Sequence, residues 1–142
     1  MKALKKFGMI LGVAMLAAAL LLVTTGAKEK KQTAKVTLSE FKIAPAKTTF
    51  VPGSIEFDAK NAGKIPHELA IVKTDLAANG LPTANGKADE SKVTVIGRIN
   101  ENSLKKGKSK KQTFKLDAGK YLLICNLVGH YQGGMAAAIE VK

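Results

Sequence analysis

YLLICNLVGHYQGGMAAAIEVK, residues 121–142, is the stretch on which the reading of this chain turns. Residues 121–125 are apolar and β-prone, which predicts a strand. Residues 126–135 contain Gly129, Gly133 and Gly134, too much glycine to continue a strand or begin a helix, so they predict a loop. Residues 136–142 alternate again and put Ala137, Ile139 and Val141 on one face of a final strand. The segment is therefore strand, loop, strand. Cys125 ends the first strand and His130 and Met135 lie in the loop, three donor side chains spaced five residues apart.

Further upstream the same grammar recurs. Ser54-Ile55-Glu56-Phe57-Asp58 alternates as a half-buried strand does. It is preceded by the Pro52-Gly53 turn signal and followed by Asn61-Ala62-Gly63. Residues 67–73 predict another strand, with His67 on the inward face beside Leu69 and Ile71. Residues 93–99 and 111–116 predict strands, the latter with Phe114 and Leu116 inward, and 117–120 a tight turn. Val36 and Leu38 alternate with polar residues, as do Phe41 and Ile43, with a phase slip near Ser39 and Glu40 that suggests a bulge or bend. Residues 75–91 form a long Ala-, Gly- and Asn-rich excursion without a clear period. The sum is seven or eight short strands and no long amphipathic helix. That predicts an all-β, antiparallel Greek-key sandwich or barrel.

Residues 1–27 stand apart. Lys2, Lys5 and Lys6 precede an uncharged apolar run over 7–23, and Thr25 and Ala27 supply small residues where a signal peptidase cuts. The segment reads as a signal peptide in helical form, or as a membrane anchor if it is not cleaved. Either way, residues 28–142 are expected outside the cytoplasm, in the periplasm or an equivalent space. Residues 28–34 read as a polar tether and 35–142 as one domain, long enough for an adequate core.

The chain carries 23 Lys and Arg against 11 Asp and Glu. Without residues 1–27 there remain 20 cations, all but Arg98 lysine, for a net charge of about +9. Export and an aromatic content of only 5% argue against nucleic acid, which needs stacking side chains. A cationic surface instead favours solubility, a monomer, and steering toward an acidic protein partner.

A single Cys in an exported chain cannot make an internal disulfide and so calls for another role. Cys125, His130 and Met135 share one loop, and the only other histidine, His67, opens a strand far upstream. Two imidazoles, a thiolate and a thioether are the donor set of a type 1 copper site. Thiolate and thioether suit Cu(I), and imidazole accepts both Cu(I) and Cu(II), so such a set needs little rearrangement when one electron moves. A binuclear centre would need a second Cys and a multicopper oxidase many more His. Structural zinc sites are built from Cys and His rather than Met.

These residues resemble the cupredoxin family of blue-copper proteins. The C-x4-H-x4-M spacing of Cys125, His130 and Met135 is similar to the ligand loop of its auracyanin-, rusticyanin- and sulfocyanin-type members. Asn61-Ala62-Gly63-Lys64-Ile65-Pro66-His67-Glu68 resembles the segment that carries the first ligand in plastocyanin-like domains. Residues 108–121 resemble the entry to the ligand strand. The likeness covers 36–142 and implies a one-copper, one-electron carrier with transient redox partners, not an enzyme. Glu68 departs from the family, where Asn usually follows the first ligand and ties the two ligand loops. Its backbone N–H can still reach the Cys125 sulfur, but the resemblance implies no side-chain tie. Proline is also common between the Cys and His ligands, where this chain has Asn126 to Gly129.

Two other functions compete. A copper-delivery protein would use similar donors but an open, Met- or His-rich site. An enzyme with a Cys–His nucleophile pair would need a third orienting group, and none is evident. Around His130 an apolar patch of Leu127, Val128, Tyr131, Gly133, Ile65 and Pro66 is expected as the docking surface for a redox partner.

Overall fold

The computed structural model describes residues 31–142, so the 1–27 segment and its signal helix lie outside the described residues. Eleven strands are present: β1 Gln32–Ser39, β2 Lys42–Pro45, β3 Thr49–Phe50, β4 Gly53–Asn61, β5 Leu69–Lys73, β6 Thr83–Ala84, β7 Lys87–Ala88, β8 Thr94–Ile99, β9 Ser109–Leu116, β10 Gly119–Ile124 and β11 Ala136–Val141. Three of them are two-residue pieces, and the other eight match the expected number. β1 starts at Gln32, and Ala34 is buried opposite Phe57, so the last part of the 28–34 tether belongs to the sheet.

The strands form two main sheets, ordered β2-β1-β4-β9 and β3-β11-β10-β5-β8, with β6 and β7 paired apart. The sheets are mixed rather than purely antiparallel. β1 runs parallel to β4, and β3 parallel to β11, while the other pairs are antiparallel. Alternation works as expected in β4: Ile55, Phe57 and Ala59 point into the core, and Glu56 and Asp58 are left half-buried on the other face. The slip after Leu38 is a tight turn, not a bulge. Ser39 pairs with Lys42, and Phe41 holds the left-handed region at φ 58°. Phe41 is consequently exposed rather than core.

The main core lies between the sheets and includes Leu38, Ile55, Phe57, Leu69, Ile71, Leu123, Cys125, Met135 and Ile139. A second cluster covers the outer face of β5 and β10. There Leu81, Ala88 and Tyr131 pack on Ala70, Val72, Leu122 and Ile124. The 75–91 excursion thus works as a cover. It is why Leu69 to Val72 and Tyr121 to Ile124 are continuous apolar runs, being buried on both faces. At the far edge, β9 is outermost and exposed, and carries Lys110, Lys111 and Lys115. Its Phe114 ring lies against Gly97 of β8, where an added Cβ would sit 2.5 Å from ring carbon Cε1.

Candidate metal centre

Four elements converge at one end of the sandwich. Cys125 directly follows β10, Met135 directly precedes β11, and His130 lies in the loop between them. His67 sits two residues before β5, which begins later than expected, at Leu69. The loop is held by its own main chain. Cys125 N–H donates to the Met135 carbonyl at 3.1 Å, Met135 N–H to His130 at 3.0 Å, and His130 N–H to Leu127 at 2.9 Å. Gly134, at φ 103°, makes the reversal that returns the chain to β11.

Asn61 shapes the other loop. Fully buried, it donates from Nδ2 to the carbonyls of Ile65 and Leu104, both at 2.8 Å, and accepts from Gly63 N–H at 2.8 Å. The Leu104 carbonyl also accepts from His67 N–H at 3.2 Å, which fixes the ligand-bearing turn.

The three donors meet. His67 Nδ1 and His130 Nδ1 are 3.3 Å apart, and Cys125 Sγ lies 3.2 Å from His130 Nδ1 and 3.9 Å from His67 Nδ1. A triangle with these sides has a centre about 2 Å from every corner, which matches metal–nitrogen and metal–sulfur bonds of ~2.0–2.3 Å. A cation at that centre would satisfy all three donors at once, so the residues fit a trigonally bound metal. Among the described residues, His67, Cys125 and His130 are the cluster arranged to hold one. Met135 is fully buried in the core cluster that contains Cys125.

The electrostatics agree. Burial pushes the Cys125 thiol above its ordinary value, against hydrogen bonds to the sulfur from the Glu68 and Leu127 amides. A thiol so placed is a poor free nucleophile, whereas a bound cation deprotonates it outright. Burial, and then the nearby His130, lower the pKa of His67, and Glu40 opposes them. His67 is thereby favoured as the neutral imidazole, the form that binds metals. Its Nε2 is buried without a hydrogen bond and lies 3.8 Å from Glu40 Oε1. Glu40 is itself held in place by the amides of Lys64 and Ile65.

Several contributors were not foreseen. Glu40 is one of many carboxylates and carries no sequence mark. Phe41 makes an edge-type ring contact with His130, with centroids 6.3 Å apart, and fills the space over Gly133. The backbone N–H of Glu68 reaches Cys125 Sγ at 3.3 Å as expected, and its side chain adds the tie that the resemblance did not imply, accepting from Asn126 N–H at 3.1 Å. Tyr131 is not part of the surface patch. It is buried in the second cluster, and its hydroxyl accepts from Leu81 N–H at 2.9 Å. The rest of the expected patch is at the surface around His130, with Ile65, Pro66, Val128 and Gly133 exposed and Leu127 half-buried, and exposed Phe41 joins it.

Comparison with known proteins gives the family and the fold. Residues 12–137 match the family described as a cupredoxin-like domain. Auracyanin from Roseiflexus castenholzii superposes with a TM-score of 0.57 at 23% identity, covering 79% of this chain and 98% of that one. Auracyanin A of Chloroflexus aurantiacus, a "blue" copper protein, gives 0.56 at 28% identity, over 78% and 98%. Rusticyanin from Thiobacillus ferrooxidans gives 0.53 at 18% identity, over 79% of each chain. No curated protein matches the chain by sequence. The His–Cys–His cluster is compatible with a single type 1 copper site. The chain belongs to the cupredoxin-like domain family.

Proposed function

We propose that the domain is an extracytoplasmic one-electron carrier whose copper would be held by His67, Cys125 and His130, with Met135 as a weak fourth donor. The observation that carries this reading is the closed triangle of donor atoms in a buried site. When bound, copper supplies the Cu(II)/Cu(I) couple. The residues do the rest. Cys125 and Met135 are pinned to each other through the main chain, and His67 is pinned through Leu104, so the donors hold their places in either oxidation state. Burial of Cys125 and Met135 keeps water from the sulfurs. His130 is only half-buried and lies beside Leu127 and Ile65, which makes its ring the route for an electron between the site and a partner. The small apolar rim suits a brief encounter, and the lysine-rich surface favours an acidic partner. Delivery of copper to another protein is less well served by a closed site with one buried methionine.

The exported domain loaded with one equivalent of copper should show an intense visible band and a reversible potential. Cys125→Ser should abolish the band. A Ser variant with the parent's band would remove Cys125 from the site. A band without a reversible potential would favour the delivery role.

A further inference from the structure

Glu68 stands where the family's usual asparagine would be, and the structure surrounds it with an uncommon set of partners. Arg98 is the only arginine in a chain with 22 lysines. Its Nη1 donates to both oxygens of the buried Glu68 carboxylate, at 3.2 and 3.3 Å, and its Nη2 donates to Glu90 Oε2. Glu90 Oε1 accepts from Asn126 Nδ2 at 2.7 Å. The Asn126 main-chain N–H returns to Glu68 Oε1 at 3.1 Å and closes the ring. Asn126 is further fixed to Ala88, accepting from its N–H at 2.7 Å and donating to its carbonyl at 3.1 Å.

The ring joins the start of β5, strand β8, the short 3-10 turn Glu90–Lys92 and the residue that follows Cys125. One guanidinium serves two carboxylates through two different nitrogens, a fork that a lysine ammonium cannot reproduce. Two carboxylates against one cation leave the ring one negative charge in excess. The Glu68 carboxylate brings its share of that charge to the sulfur: it disfavours the Cys125 thiolate electrostatically, and the amide of the same residue donates to Cys125 Sγ.

We propose that Glu68, Arg98, Glu90 and Asn126 form an ionic latch on the Cys125 loop. Glu68 is its positioning residue, and the excess negative charge biases the bound copper toward Cu(II). The inference rests on the copper reading above. Oxidation adds a unit of positive charge to the site, and a nearby anion in a poorly screened setting stabilises the more positive state. The latch also fixes the main chain on the C-terminal side of Cys125, so it gives both order and a field.

The two effects separate by sign. Glu68→Gln keeps an oxygen acceptor for the Asn126 N–H and removes one negative charge. It should shift the Cu(II)/Cu(I) equilibrium about tenfold toward Cu(I), a rise of about 59 mV in a one-electron couple. Glu90→Gln, at the half-buried end of the ring, should shift it the same way. Arg98→Met keeps both carboxylates and removes the cation, so it should move the potential down. Voltammetry of the three copper-loaded variants in one buffer reads all of this. Shifts of one sign in all three, or none in any, would overturn the charge role, since a merely structural tie does not distinguish Arg98 from its carboxylate partners. In the copper-free protein, hydrogen exchange at the Asn126 amide should accelerate at least about tenfold in Glu68→Ala and little in Glu68→Gln. Unchanged exchange in Glu68→Ala would overturn the latch. A parent protein that binds no copper would sink the copper reading, and the exchange result would still decide on the latch.

Discussion

Asn61 is the residue whose replacement tests the architecture of the first ligand loop most directly. Asn61→Asp preserves shape and volume, so it opens no cavity. It replaces the Nδ2 donor by an oxygen that faces the carbonyls of Ile65 and Leu104, each 2.8 Å away. The Gly63 N–H bond survives, because Oδ1 is still an acceptor. A buried group left without its partner costs ~1–3 kcal/mol. Ile65 bears the larger share, about 2 kcal/mol, whereas Leu104 keeps the His67 N–H and loses about 1 kcal/mol. The expected destabilisation is therefore about 3 kcal/mol, a large part of a domain's ~5–15 kcal/mol. With a urea slope of ~1.5 kcal/mol/M the midpoint should fall by about 2 M. The deficit should also depend on pH. Burial against two carbonyl oxygens raises the introduced carboxyl's pKa in the folded chain above its unfolded value. The loss is then full at neutral pH and shrinks as pH falls through the raised value, where the protonated carboxyl can donate to one carbonyl. Urea titration of the copper-free protein, followed by circular dichroism at pH 7 and pH 4.5, measures both effects. A midpoint shift under about 0.5 M at pH 7, or a deficit relative to the parent that grows toward pH 4.5, would refute the account of this loop.

Tyr131→Phe should cost about 1–2 kcal/mol in urea titration, by stranding the Leu81 N–H, and leave electron-exchange rates unchanged; a rate effect without a stability effect would return Tyr131 to the docking surface. The Arg98 hydrogen bond, and then that of Asn126, hold the Glu90 carboxyl below its ordinary value of 4.5. A depressed folded-state value stabilises above the unfolded one and loses that contribution as pH falls through it, so Glu90→Gln should flatten the stability decline below about pH 4.5, as thermal melts across pH 3–6 would show. Met135→Leu should raise the reduction potential and Met135→Gln lower it with copper retained, and voltammetry showing no shift in either would leave Met135 as core packing alone.

Much of this was legible because the informative residues are rare. Two histidines and one cysteine leave few ways to build a metal site, and His67, Cys125 and His130 do converge. Ile55 and Phe57 announced β4 through period-two burial. The slip at Ser39 was visible but not its kind, since a one-residue bulge and a two-residue turn shift the alternation alike; the positive φ of Phe41, which decides between them, carries no sequence mark. The parallel pairings of β1 with β4 and β3 with β11 join segments whose register depends on the whole sandwich rather than on either strand. The 75–91 excursion has no period because it covers a sheet face with isolated residues, Leu81 and Ala88, rather than with a helix. Tyr131 was misplaced for the same reason: its partner Leu81 lies 50 residues away. Arg98 could have been found, since a lone arginine among lysines points to a place where a planar fork is needed.

The outermost position of β9 has a consequence for the molecule among its own kind. An uncovered strand presents free main-chain groups to which a second copy can add, the first step of sheet-to-sheet aggregation. Here any such copy must bring its Lys110 and Lys115 to the same edge, so like charges meet before main-chain hydrogen bonds can form, while Lys111 is already paired with Glu56 and Asp58. That protection is electrostatic and has a range of ~10 Å at 0.1 M salt, shrinking to ~3 Å at 1 M. Concentrated salt removes the barrier while leaving the strand as sticky as before, so the domain keeps best in dilute buffer.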